Sequence, residues 1–447
     1  MRTDTIVALS TAPGISAIAV IRLSGKEAIT ITNSLFKGKD LSQQPSHTIH
    51  YGSLQENGEI LDEVLISVFK EPTSFTKENI IEISCHGSEF IIQKIIKALI
   101  RNGARLAEAG EFTKRAFING QFDLTQAEAI ADLIHSDSEA SHHAALNQMR
   151  GGFSKKIAAL REQLIHFASL IELELDFGEE DVEFANRDDL QKLLQELLVT
   201  ITKLTDSFQM GNAIKNGVPT VIAGKPNAGK STLLNALLNE EKAIVSDIPG
   251  TTRDFIEDEI HIEGIRFRFI DTAGLRNTTD TVEAIGVQRT KEKLKQASII
   301  IYLFDVSQTT QADLEEELTE INALSIPYLL VGNKADQKHS TFTMPVHYIS
   351  ATTGEGIEEL KQLLTRSIHT KAYKASDTIV TNLRHYQNLK LAQDSLSQAL
   401  LSLSQGITGD LLAMDIRQAL FYLGQITGEI TTDDLLSNIF SKFCIGK

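Results

Sequence analysis

Gly224-Lys-Pro-Asn-Ala-Gly-Lys-Ser231 governs the reading of the whole chain, because here spacing and residue type together specify a chemistry. The stretch follows an apolar run, Val218 to Ala223, that predicts a buried strand, and it leads into Ser231 to Leu238, which predicts a helix. A phosphate-binding loop needs that strand-turn-helix context. The glycines at 224 and 229 let the backbone turn so that successive N–H groups and the helix N-terminus face an anion, and Lys230 adds a point charge on the outer phosphates. Ser231 supplies a hydroxyl for Mg²⁺. A nucleotide triphosphate is therefore expected on Asn227, Ala228, Gly229, Lys230, Ser231 and Thr232.

Three further motifs follow in order. After the strand candidate Arg266 to Ile270 comes Asp271, Thr272, Ala273 and Gly274; after Tyr328 to Val331 comes Asn333-Lys334-Ala335-Asp336; Ser350 and Ala351 follow Val346 to Ile349. Each falls at the C-terminal end of a strand, where doubly wound sheets bind ligands. Asp271 can hold the Mg²⁺ shell through water, and the Gly274 N–H can sense the γ-phosphate. The Asp336 carboxylate only accepts hydrogen bonds, so it suits the N1–H and exocyclic amine of guanine and would face an acceptor on adenine. GTP is implied over ATP. The motifs resemble those of the translation-factor-related GTPases.

Ras-like proteins place a water-orienting Gln directly after the Asp-Thr-Ala-Gly run, whereas this chain has Leu275 there. An aliphatic side chain cannot orient water. Glu283 is the expected replacement, with Arg276 in the same segment; the plainer reading of Glu283 is an exposed acid on a helix. No arginine finger is evident, and Asn227 can help hold a monovalent cation near the β and γ phosphates. The loop Ser246, Asp247, Ile248, Pro249, Gly250, Thr251 and Thr252 can add backbone carbonyls around that ion, with Thr252 reaching Mg²⁺.

The 447 residues imply about three domains. Hydrophobic content of 42% and charged content of 23% are ordinary for globular chains. The longest apolar run, Ile299 to Phe304, is too short to span a bilayer, and Ile6 to Ile21 reads as two strands joined at Pro13-Gly14 rather than as a signal peptide. Two cysteines, Cys85 and Cys444, make no disulfide framework, which points to a reducing, cytoplasmic compartment. Net charge is −16; residues 1–118 hold 13 basic against 13 acidic residues, leaving 30 against 46 for the rest. Such a chain lacks the clustered cations of a stand-alone polyanion binder. If a nucleic acid is the substrate, a partner holds most of it.

Four segments emerge. Residues 1–118 read as α+β, with strands at Thr5–Leu9, Ile18–Ile21, Glu63–Phe69 and Ile80–Ser84 and an amphipathic helix at Glu89–Arg101. Cys85-His86 lacks zinc-ligand spacing and reads as a buried pair at a strand end. Residues 119–214 are helical: two long helices, Leu124–Met149 and Phe153–Phe177, then a third over Asp188–Lys215. Gly178 to Glu183 reads as a solvated acidic loop, and His142 and His143 point about 100° apart and share no ligand face. Residues 215–373 alternate strand and helix, and 374–447 return to helix. A multidomain α/β chain follows, with the P-loop domain inserted into a helical domain whose halves pack together.

The ending Phe443-Cys-Ile-Gly-Lys447, the loop Gly250-Thr-Thr-Arg-Asp254, Asp271-Thr-Ala-Gly-Leu-Arg276, Gly110-Glu-Phe-Thr-Lys-Arg-Ala116 and Leu124-Thr-Gln-Ala-Glu-Ala-Ile-Ala-Asp132 closely resemble the MnmE (TrmE) family of tRNA-modification GTPases. The resemblance covers the whole chain. It implies a Ras-like GTPase domain, a tetrahydrofolate-binding N-terminal domain that is the main dimerisation surface, and a homodimer that joins the FAD-dependent partner MnmG in a heterotetramer. The implied reaction adds an aminomethyl or carboxymethylaminomethyl group to C5 of the tRNA wobble uridine, with 5-formyl- or 5,10-methylene-tetrahydrofolate as one-carbon donor. By the same resemblance Arg22, Glu82 and Lys447 fall at folate contacts, and Gln121 stands where a lysine is usual. Asn227, Ser246, Ile248 and Thr251 match potassium-binding positions, Ser231 and Thr252 magnesium-binding ones, and Glu283 the catalytic acid.

Cys444 has two readings. Its thiolate can add to C6 of a pyrimidine and activate C5, or it is a small apolar residue that helps the tail dock. No adjacent His or second Cys activates it, which favours docking. Two competing functions are a regulatory GTPase of ribosome assembly, which normally carries a basic RNA-binding module, and a purely structural scaffold for MnmG.

Overall fold

Ile80-Ile-Glu-Ile-Ser-Cys-His-Gly87 alternates apolar and polar side chains with the two-residue period of an extended chain. In the computed structural model, which describes residues 4–176, 187–239, 258–270, 297–324, 326–337, 342–368, 378–405 and 409–446, it lies in the middle of a seven-stranded sheet. The strands are β1 (Ile6–Leu9), β2 (Ser16–Ser24), β3 (Phe36–Lys37), β4 (Thr48–Glu56), β5 (Glu59–Phe69), β6 (Ile80–Gly87) and β7 (Arg105–Leu106), ordered β3-β4-β5-β6-β2-β1-β7. β1 and β7 run parallel and the other neighbours antiparallel. Ile81 and Ile83, with Ile66, Val68, Ile21 and Leu23, are buried in a core shared with α1 (Ala28–Leu35) and α2 (Glu89–Arg101).

The period of β6 corrects one expectation. Cys85 is buried, its thiol donating to the Ala19 carbonyl at 3.6 Å and pushed up to about 11 by burial and the Asp62 charge. His86 points to the opposite face, is exposed, and lies 2.8 Å from Asp62 through Nδ1. Successive residues of a strand cannot share a face, so the two are not a buried pair.

The chain divides into two compact units, one of Met1–Ile134, Gln148–Leu194 and Asp394–Lys447, the other of His135–Asn147 and Gln195–Gln393. In the first unit the sheet is followed by α3 (Glu111–Ile118), α4 (Leu124–Ile134) and, beyond α5 (Glu139–Met149), by α6 (Gly152–Asp176). Leu124 and Ala127 share a core with Leu436, Ile439, Phe440 and Phe443, from α14 (Asp433–Phe440) and the tail. α6 packs on α13 (Gly409–Thr427), with Glu172 and Arg417 3.3 Å apart and Arg161 paired with Glu429. Helical segments from either side of residues 195–393 thus build one body, and the intervening residues are an insertion.

Two expected long helices are broken. Leu124–Met149 divides into α4 and α5, because Ser138 and Ser141 cap each other, each backbone N–H donating to the other's hydroxyl at 3.1 Å. The third divides into α7 (Arg187–Asp206) and α8 (Phe208–Asn216); at the break, Ser207 Oγ accepts from Val380 N at 3.0 Å. α12 spans Leu383–Ser404.

The second unit holds a six-stranded sheet, ordered β13-β12-β11-β8-β10-β9. Its strands are β8 (Val218–Ala223), β9 (Asp258–Ile262), β10 (Ile265–Phe269), β11 (Ile299–Asp305), β12 (Tyr328–Asn333) and β13 (His347–Tyr348), all parallel apart from the β9–β10 hairpin. The unbroken apolar run of β11 is buried throughout, as an inner parallel strand covered on both faces requires. Residues of α9 (Lys230–Asn239) and α11 (Ile357–Ile368) share a core with Ile299, Ile301 and Leu303, while α10 (Gln311–Asn322) shares the other with Ile300, Tyr302 and Phe304.

Candidate functional site

The turn from β8 to α9 is shaped by backbone rather than side chains. Gly224 has φ +144, and a Cβ there would lie 1.9 Å from the Leu303 carbonyl oxygen; Gly229 has φ +96, with a Cβ position 2.2 Å from Asn333 Nδ2. Any larger residue closes the loop on its neighbours. Asn227 sits at φ 64 with its side chain exposed, Ala228 is buried, and Ser231 and Thr232 open the first turn of α9. The Lys230 ammonium donates to the Gly224 and Lys225 carbonyls, both at 2.8 Å. Burial lowers its pKa, so a phosphate is a better counter-charge than the neutral carbonyls it now uses. Lys225, exposed in the same loop, pairs with Glu317 of α10.

Asn333 joins the separate motifs. It is 3% exposed; its Nδ2 donates to the Ala228 carbonyl at 2.8 Å and its Oδ1 accepts from Ala351 N at 3.0 Å. One side chain therefore ties the phosphate loop to the segment after β13. Ser350 is fully buried, and its hydroxyl accepts from Thr353 N at 3.3 Å. Lys334, at φ 64, extends its ammonium to Asp305 Oδ2 at 2.6 Å, while Asp336 is exposed. The strand ends thus bring Asn227 to Thr232, Asn333 to Asp336 and Ser350-Ala351 to one edge of the sheet. Ser246 to Thr252, Asp271 to Gly274, Leu275, Arg276, Glu283, Lys447 and the acidic stretch Gly178–Glu183 lie outside the described residues.

A second constellation sits on the N-terminal sheet. Arg22 of β2 and Glu82 of β6 are register partners, and the Arg22 Nη2 and Nε both donate to Glu82 Oε1, at 2.7 and 2.9 Å. The guanidinium carbon lies 5.7 Å from the Phe75 ring centre and 5.8 Å from that of Phe112. The C-terminal tail ends close by: Ile445 bridges Ala109, Ser10 Oγ donates to the Gly446 carbonyl at 3.1 Å, and Gly446, at φ +96, leaves no room for a Cβ against the Leu9 carbonyl. Leu9 adjoins Ala8, the residue opposite Arg22. Cys444 is exposed, its carbonyl accepting from Gly110 N at 3.4 Å. Gln121 is exposed beyond the end of α3, and Lys77 reaches the neighbouring Gly120 carbonyl at 2.7 Å.

Sequence reasoning passed over Phe75, Phe112 and Asp305. The aromatic pair left no local signal, since the rings come from a loop and a helix far apart in the chain. Asp305 left one: it is the acid that ends an otherwise apolar strand. No group of three His, Cys, Asp or Glu arranged to hold a metal occurs among the described residues; the His142 and His143 rings lie with centroids 5.7 Å apart.

A P-loop on the central strand of a mostly parallel sheet, braced to an Asn-Lys-Ala-Asp motif and inserted into a helical body, defines the class as a GTP-binding domain of the Ras-like kind. Residues 124–444 match the family model described as the MnmE helical domain, and residues 5–121 that described as the GTP-binding protein TrmE N-terminus. The chain is 60% identical to the tRNA modification GTPase MnmE of Cytophaga hutchinsonii, covering 100% of this chain and 98% of that one. It is 54% identical to the protein of the same name in Flavobacterium johnsoniae, over 99% of each chain, and 49% identical to that of Bacteroides fragilis, over 100% of each. The chain belongs to the MnmE family of tRNA modification GTPases.

Proposed function

We propose that this chain couples GTP hydrolysis to the addition of an aminomethyl or carboxymethylaminomethyl group at C5 of the tRNA wobble uridine. The observation that carries the nucleotide half is Asn333 bridging Ala228 and Ala351, which holds the phosphate loop and base-reading motif in one rigid frame. In this reading the loop amides from Asn227 to Thr232 and the Lys230 ammonium hold the outer phosphates, and Asp336 reads guanine. Ser231 and Thr252 would hold Mg²⁺, and Asn227, Ser246, Ile248 and Thr251 would hold K⁺; bound there, such cations would offset negative charge on the phosphates. Glu283 orients the attacking water, with Arg276 in the same segment; Asp271 holds the Mg²⁺ shell through water, and the Gly274 N–H senses the γ-phosphate.

The one-carbon unit comes from a 5-formyl- or 5,10-methylene-tetrahydrofolate. Arg22, Glu82, Gln121 and Lys447 are its assigned contacts. The Arg22–Glu82 pair flanked by Phe75 and Phe112 supports this, because a pterin is flat and offers donors and acceptors on one edge. Ile49, Tyr51 and Leu65 lie 65, 66 and 46% exposed on the face of the sheet away from the helices, an apolar patch suited to a homodimer. The FAD-dependent MnmG and the tRNA complete the assembly, in the cytoplasm. No helix among the described residues is long and apolar enough to cross a membrane. Exposed Cys444 serves docking of the tail rather than catalysis.

Mass spectrometry of wobble nucleosides tests the reading in cells lacking this chain, complemented with wild type or Glu283→Ala. The C5 side chain is expected to vanish without the chain and to return only with wild type. Persistence of the modified uridine in the deleted cells would move the reading to ribosome assembly, and its full return with Glu283→Ala would leave the chain a scaffold.

A further inference from the structure

Asp305 is 9% exposed, and a carboxylate so deep needs partners. It has three donors: Ser307 N at 2.9 Å and Ser307 Oγ at 2.6 Å on Oδ1, and Lys334 Nζ at 2.6 Å on Oδ2. The parallel register of β11 and β12 sets Asp305 beside Asn333, and Val306 N donates to the Asn333 carbonyl at 3.1 Å. The acid is thus locked at the level of the base-reading motif by its own turn, and its second oxygen is left for the lysine. Burial pushes the Asp305 carboxyl up, but the hydrogen bonds from Lys334 and Ser307 more than reverse this, and the acid is held below its ordinary value.

Lysine loses much rotamer freedom when its ammonium is fixed, and a side chain fixed before binding does not lose it again when ligand arrives. We propose that Asp305 is a positioning residue for guanine-nucleotide binding, acting through Lys334, and that Ser307 in turn holds Asp305. This rests on the reading of Asn333 to Asp336 as the base site. Asp305 touches no nucleotide in this scheme; it sets where the Lys334 side chain stands.

The test is titration of the full-length protein with fluorescent GDP, alongside GTPase kinetics. Asp305→Asn is expected to weaken GDP binding about tenfold and to raise KM for GTP in proportion, with a much smaller fall in kcat. Lys334→Ala weakens binding by itself, and adding Asp305→Asn to it brings no further loss, because the acid then has nothing to position. A double variant whose loss is the product of the two single losses overturns the proposal, as does Asp305→Asn binding GDP like wild type. Should Asp305→Asn fail to fold, Ser307→Ala keeps both charges; about two- to threefold weaker binding is expected, and none of that loss in the Lys334→Ala background. Equal losses in both backgrounds overturn the idea. Asp336→Asn tests the base site separately: undiminished GTP preference over xanthosine triphosphate counts against that assignment, not against the coupling of Asp305 to Lys334.

Discussion

The phosphate loop and the Arg22 constellation both sit where strands end or pair, yet their parts lie at different distances along the chain. Gly224 to Ser231 is eight consecutive residues in which the backbone presents the donors, so glycine spacing alone carries the signal. Arg22 meets Glu82 from 60 residues away, and the tail that ends near it ties Gly446 to Ser10 across 436. A backbone-built site is written locally, and a side-chain-built site is written only in the pairing of the sheet.

The sharpest break of that comparison is Gly224→Ala. A methyl placed 1.9 Å from a backbone oxygen, on a residue at φ +144, forces the loop open, and GTP binding is expected to fall roughly a hundredfold or more in a nucleotide titration. A variant that still binds within a few fold would show that the loop's backbone shape is not the determinant. Next in size is Arg22→Ala, which strands Glu82 and removes the cation between two rings. Affinity for 5-formyltetrahydrofolate should drop about tenfold or more, with GTP binding as in wild type. Equal loss of both ligands would mean the two sites are not built independently.

The smallest effect concerns the charge network beside the Arg22 sheet. Arg105 holds the Asp4 carboxyl below its usual value, aided by Arg115; for Glu111, burial pushes up but the Arg105 and Arg115 hydrogen bonds, with one from Glu108 N, bring it down. Both folded values lie below the unfolded ones. The network's contribution to stability is therefore present above the ordinary carboxylate range near pH 4 and is lost as pH falls through the lowered values. Melting temperatures should show Glu111→Gln a few degrees below wild type at pH 7, with the gap closing below about pH 4. A gap that persists in acid would assign the effect to packing.

Much of the architecture was legible because periodicity is local. β8, β11 and β12 stand where apolar runs predict them, and the helices expected over residues 374–447 appear as α12, α13 and α14 among the described residues. The helix breaks at residues 135–138 and at Ser207 were not legible, since Ser appears often within helices and only its partner decides whether it caps. Ser207 makes no side-chain cap to α8; its hydroxyl instead accepts from Val380 N, 173 residues on. The burial of Cys85 followed from its strand, whereas the exposure of His86 depended on which face the helices cover.

By itself the sequence determined the glycine-framed loop at 224–231, the Asn333-Lys334-Ala335-Asp336 motif and the insertion of one domain in another, because each depends on contiguous residues whose spacing restricts the backbone. Tertiary structure alone decided that Asn333 braces the loop to Ala351, that Asp305 takes Lys334, and that Arg22 lies between Phe75 and Phe112. These depend on strand register and helix placement, which bring distant side chains within bonding distance and leave no trace in the spacing of either partner.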